Sequence, residues 1–79
     1  MKAFDDLAHL SDEEMQNWLC KVDTKDLAIA LKQASDDVKR KIFENVSERV
    51  RGFIEQGMED SGNVPENEIE EVQNRILQL

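Results

Sequence analysis

The sequence predicts an all-α protein, a compact array of about five to six short helices. One observation is the apolar stretch Leu27–Leu31, which holds two alanines, no aromatic residue and a single β-branched residue. That composition favours a central helix over a buried strand, although periodicity alone leaves the strand open. A second observation is that residues suited to begin a helix recur along the chain, at Ser11, Thr24, Ser35 and Ser47.

Length and charge limit the possible functions. Seventy-nine residues form one domain, and 39% apolar with 5% aromatic residues predicts a modest core. Residues 52–79 contain seven acids and one base, Arg75, and so contribute −6 of the net charge of −8. Such a surface repels phosphate backbones, so no nucleic-acid partner is expected. The acidic run is interpreted as a solvated face, with a docking surface for a basic partner as the alternative.

Cysteine content and hydropathy indicate the compartment. Cys20 is the single cysteine, so no disulfide can form within the chain, which fits a reducing compartment. No apolar stretch approaches the roughly 18 residues that span a membrane, and the N-terminus lacks a signal-peptide pattern. The prediction is a cytoplasmic protein without membrane insertion.

The first two helices are predicted from capping and spacing. A short helix or helical turn is expected over about Ala3–His9. Ser11 and Glu14 form a capping box that begins a helix over about Asp12–Lys21. Trp18 on that helix has two interpretations: a residue at the rim of the core, or an anchor in a protein interface.

The remaining helices follow in the same way. Either Asp23 or Thr24 caps the central helix, which ends near Lys32. Ser35 and Ser47 begin the next two helices, and Gly52 and Gly57 predict fraying of the second of these. Gly62 is expected to end that helix in a left-handed conformation, and Pro65 to start the last one. The charged run Lys39-Arg40-Lys41 is interpreted as a solvated helix face.

Nothing in the sequence points to catalysis. His9 is the sole histidine and is interpreted as a surface or packing residue. There is no glycine-rich phosphate loop and no metal-ligand spacing, and Cys20 has no base partner. Glu70 and Glu71 point about 100° apart on a helix, so they share no site. The chain is predicted not to be an enzyme, with no catalytic residue, cofactor or metal.

Short helices that turn at regularly placed caps are typical of armadillo-like arrays. A set of residues in matching order resembles one such family, the flagellar motor switch protein FliG, over essentially the whole chain. The most specific part is the block Ala30-Leu31-Lys32 followed by Asn45-Val46-Ser47 and Arg49. The other matching residues are Leu10–Asp12, Met15, Gln16, Leu19, Val22, Asp23, Leu27, Ala28, Lys41–Glu44, Gly62, Ile69–Glu71, Gln73 and Ile76.

The resemblance implies a fold and a function. The fold would be the armadillo-like right-handed superhelical array that opens the family's C-terminal region, with residues 1–79 as a single domain. The function would be a protein-interaction scaffold in the switch complex, serving motility and chemotaxis at the cytoplasmic face of the flagellar basal body. The implied partners are other FliG-type helical units, either a second copy or the family's middle unit, and a FliM-type switch protein. The family's torque-generating helical domain, whose charged helix meets the stator, is expected to be absent.

Some positions depart from the family pattern. Asp60 and Ser61 stand where the family has apolar residues, and Trp18 replaces a smaller aliphatic. The proline expected directly after the glycine at 62 lies instead at Pro65.

The predicted interface lies at the N-terminal end. An apolar face left uncovered there would let a neighbouring unit continue the helical stack, and weak self-association would follow. Its proposed residues are Phe4, Leu7, Met15 and Trp18. Two alternatives remain: a standalone regulatory helical module, and a helix-turn-helix nucleic-acid binder that would have to use Lys39-Arg40-Lys41.

Overall fold

Short helices joined by brief turns make up the part of the chain that the computed structural model describes, residues 4–79. No strand occurs in that range, so the predicted all-α array is confirmed. Ala3, the first residue of the earliest predicted helix, lies outside the described residues. The elements are a 3-10 helix over Phe4–His9, α1 over Asp12–Leu19, α2 over Thr24–Ala30 with a 3-10 extension over Leu31–Gln33, α3 over Asp36–Glu44, α4 over Glu48–Asp60 and α5 over Glu66–Leu77.

Side-chain caps set where the first four α-helices begin. Ser11 forms both halves of the predicted capping box with Glu14, at 3.1 and 3.2 Å. Of the two candidates for α2, the structure selects Asp23, whose carboxylate accepts from the amide of Lys25 at 2.8 Å. Ser35 and Ser47 cap α3 and α4 as predicted. The four capping residues are therefore spaced 12 residues apart.

The helix α2 lies at the centre of the fold, as predicted, and packs against both α4 and α5. Its residues Leu27, Ala28 and Ala30 are buried, as is Leu31 directly after it. The contact with α4 is close at one point, because a Cβ built on Gly57 would lie 3.0 Å from the Cβ of Ala28. The helix α4 continues through both glycines to Asp60, and the fraying predicted from them stays a prediction.

Gly62 ends α4 as predicted. Its φ of 61° lies in the left-handed region, and its amide donates to the carbonyl oxygen of Glu59 at 3.2 Å. That conformation is open to glycine at little cost. Pro65 then stands directly before α5, so the prediction for the start of the last helix is confirmed.

Three side-chain contacts hold α5 against the rest of the fold. The indole Nε1 of Trp18 donates to the carbonyl oxygen of Ile76 at 2.9 Å, in the last turn of α5. Gln73 donates to the carbonyl oxygen of Ala30 at 2.8 Å. Arg75 pairs with Asp26 at 2.9 Å. Because the last carbonyls of a helix have no partner within it, the first two contacts satisfy backbone groups at the ends of α5 and α2.

Candidate protein-interaction surface

The four side chains predicted to form an uncovered apolar end are buried. Phe4 and Trp18 are 6% exposed, and Leu7 and Met15 are 0% exposed. The 3-10 helix packs against α3 and α5, and the ring of Phe4 lies edge-on to that of Trp18 with centroids 6.4 Å apart. The expectation that these side chains remain uncovered is therefore wrong, because all four pack into the chain's own hydrophobic core. Trp18 therefore lies in the core, in agreement with the first of the two interpretations of this residue.

The large apolar side chains that are exposed within residues 4–79 are Phe53 and Leu79, at 58% and 53%. Phe53 lies on α4, and the guanidinium of Arg49 stands 5.8 Å from its ring centroid. Phe53 belongs to an apolar repeat at helical spacing, Val50, Phe53, Ile54 and Met58, but the residue of α4 that is fully buried is Ile54. Neighbouring residues point about 100° apart on a helix, so Phe53 is turned towards solvent.

Phe53 borders a depression between α2 and α4, which we call the α2–α4 cleft. It consists of two adjoining cavities of about 280 and 240 Å³. Gly57 lies in the lining of both cavities. The residues that line the cleft are Thr24, Lys25, Ile29, Phe53, Gln56, Gly57, Asp60 and Ser61.

A line of exposed residues runs along α4 beside this cleft: Arg49, Phe53, Gln56 and Asp60. At about 100° per residue these four positions fall within about 60° of one another, and we call them the α4 stripe. The stripe carries a positive charge at its start and a negative charge at its end. Neither Arg49 nor Asp60 forms an ion pair within residues 4–79, and Asp60 accepts only from Gln56, at 2.9 Å.

A polar cluster on the surface links the start of α1 to the end of α3. Lys41 donates to Asp12 at 2.8 Å, and Asn45 donates to the same carboxylate oxygen at 3.3 Å. The pKa of Asp12 is lowered from its usual value. The largest cause is the hydrogen bond from Lys41, followed by the hydrogen bond from Asn45 and the positive charge of Lys41. The prediction of a solvated base at 41 is wrong in part, because the Lys41 side chain is only 23% exposed.

The basic run on α3 offers little free charge. Arg40 pairs with Asp37 at 3.2 Å and Lys41 pairs with Asp12. Two of the three bases on which a nucleic-acid interface would depend are thus engaged with carboxylates.

Residues 4–79 show no features of a metal site or a membrane span. No set of three or more His, Cys, Asp or Glu side chains is grouped so that it could bind a metal ion. No helix there combines the length and apolar character that crossing a membrane requires. No buried side-chain nitrogen or oxygen in that range lacks a hydrogen-bond partner.

Fold and surface together define a small all-α module with a helix-lined cleft on its exterior. The family model of the FliG C-terminal domain matches residues 1–79, and the chain belongs to this family, as its sequence motifs predicted. The flagellar motor switch protein FliG of Thermotoga maritima is 42% identical over the whole chain, which covers 24% of that relative. The proteins of the same name from Borreliella burgdorferi and Bacillus subtilis are 35% and 34% identical over the whole chain, which covers 23% of each. The chain thus spans about a quarter of the length of the curated relatives it matches.

Proposed function

We propose that this chain is a non-catalytic protein-interaction module of the flagellar motor switch. It docks on another FliG-type helical unit through the α4 stripe and the α2–α4 cleft. The observation that carries the proposal is Phe53, an aromatic side chain that is 58% exposed at the edge of an open cleft. Aromatic side chains beside a pocket are typical anchors of protein interfaces.

This docking face lies on α4 and not at the N-terminal end. Phe4, Leu7, Met15 and Trp18 already bury their surface within this chain, so a partner would gain no apolar area from them. Phe53 has most of its surface still to bury. Full burial of such a side chain contributes about 1.5–3 kcal/mol, so covering the 58% that is exposed would contribute about 1–2 kcal/mol to a small interface.

Family membership supports the cellular setting. The relatives carry the name flagellar motor switch protein, so we place the module in that assembly, at the cytoplasmic face of the flagellar base. A FliM-type switch protein is the second candidate partner.

The test is a Phe53→Ala substitution in the native gene, scored by swimming in soft agar. We expect smaller swimming rings at unchanged protein level, because the substitution removes the proposed anchor from an exposed position. Leu79→Ala is the matched control, since it shortens the other exposed large apolar side chain, which does not line the cleft. Circular dichroism should show both variants folded. Normal swimming by the Phe53→Ala strain would contradict the proposal.

A further inference from the structure

We infer that the unit seated on the α4 stripe is a second copy of this chain, related by a two-fold axis that sets the two α4 helices antiparallel. The inference rests on the proposed function, since it uses the same face. A two-fold interface must be self-complementary, so each feature of the face has to meet its complement on the same face of the other copy.

The charges of the stripe meet this requirement. The axis would pass beside the middle of α4, between positions 54 and 55. It would bring Arg49 of each copy opposite the partner's Asp60. The two Arg49–Asp60 pairs would then be separated by about 16 Å along the helix axis, at 1.5 Å per residue. Neither of these side chains has a counter-ion within residues 4–79. Pairing would therefore supply two salt bridges between copies without breaking an ion pair that these two side chains form within a copy.

The shape of the face is self-complementary in the same register. The two-fold operation places Phe53 opposite the partner's Gln56, which borders the α2–α4 cleft beside Gly57. Phe53 would project into that cleft, where Ile29 provides apolar contact. Each copy thus contributes one projecting ring and one open cleft.

Size and net charge limit the strength of this association. The face comprises one helix stripe and one cleft, which places it among small interfaces of less than about 1,200 Å². A net charge of −8 on each copy also opposes association. A monomer–dimer equilibrium that is visible only at high protein concentration is the expected behaviour.

The experiment is sedimentation equilibrium of the purified chain up to about 1 mM, with two single charge reversals, Arg49→Glu and Asp60→Arg. Each reversal puts like charges opposite each other, so each should weaken self-association by about tenfold. An equimolar mixture of the two variants should associate like the unaltered chain, because every mixed dimer again pairs opposite charges. A folding defect could not produce this recovery. Glu70→Arg, on an exposed position of α5, makes the same charge change as Asp60→Arg away from the stripe and should not weaken association.

Failure of the inference can be told apart from failure of the proposed function. A chain that stays monomeric at 1 mM, or a mixture that does not recover, overturns the second copy as occupant. If Phe53→Ala still impairs swimming in that case, the proposed function stands with another partner, such as the family's middle unit or a FliM-type switch protein. Recovery in the mixture together with normal swimming by the Phe53→Ala strain supports the dimer and rejects its role in the motor.

Discussion

At the scale of single residues, Gly52 and Gly57 lie on the same helix but in different surroundings. A Cβ at Gly52 would meet nothing within 4 Å, whereas one at Gly57 would lie 3.0 Å from the Cβ of Ala28. Both glycines looked alike in sequence, as two residues that weaken a helix. What separates them is the position of α2, which only the folded chain determines.

The two alanine substitutions should therefore change stability in opposite directions. Gly52→Ala should raise the free energy of unfolding by about 0.5–1 kcal/mol through helix propensity alone. Gly57→Ala gains the same propensity, but its Cβ would press against the Cβ of Ala28, and overpacking typically costs about 1–3 kcal/mol. Urea unfolding of both variants measures the difference. Equal stabilisation by both would show that α4 and α2 are not in close contact at this point.

Trp18 shows why the sequence alone does not separate a buried residue from an exposed one on an apolar helical face. Its position on an apolar helical stripe fits either role, and the decisive contact, its bond to the carbonyl oxygen of Ile76, spans 58 residues of sequence. We expect Trp18→Phe to lower the free energy of unfolding by about 1–3 kcal/mol, because it leaves a carbonyl of α5 without its donor. Thermal unfolding followed by circular dichroism measures this loss. A melting temperature equal to that of the unaltered chain would contradict the assigned role of the indole.

At the scale of elements, the starts of the helices could be predicted because capping is local. Ser11, Ser35 and Ser47 lie within three residues of the amides that they accept from. The ambiguity between Asp23 and Thr24 arose because both residue types suit an N-cap. The exposure of Phe53 was less predictable. The apolar repeat of Val50, Phe53, Ile54 and Met58 is wider than one buried face, so the sequence does not show which of its members point to solvent.

The choice of cap for α2 can be tested directly. Asp23→Ala should lower the free energy of unfolding by about 1 kcal/mol, because it removes the acceptor for the amide of Lys25. Thr24→Ala, one residue later, is the control and should cost less, since Thr24 already lies inside the helix. Chemical denaturation of the two variants compares them. A larger loss from Thr24→Ala would assign the cap to that residue instead.

At the scale of the whole molecule, the sequence predicted the fold and the family but not the exposed face. The number of helices follows from local signals. Which apolar residues stay uncovered depends on how the first turn closes over α3 and α5, and that closure has no local signal. The same holds for Asp12, whose contacts with Lys41 and Asn45 join α1 to α3 across 29 and 33 residues.

That contact between distant helices predicts how stability depends on pH. The hydrogen bond and charge of Lys41 lower the pKa of Asp12 in the folded chain, so folding favours its ionised form. The resulting stabilisation is complete well above the unfolded pKa of about 3.9 and is lost as the pH falls through the lower folded value. Asp12→Asn should remove this contribution and reduce the loss of stability on acidification below about pH 4. Urea unfolding between about pH 2.5 and 7, in steps of about half a pH unit, measures how the free energy of unfolding depends on pH. Glu70→Gln, on the exposed surface of α5, is the control for the removal of one negative charge. If Asp12→Asn and the unaltered chain lose stability in parallel over this range, the contact does not couple α1 to α3.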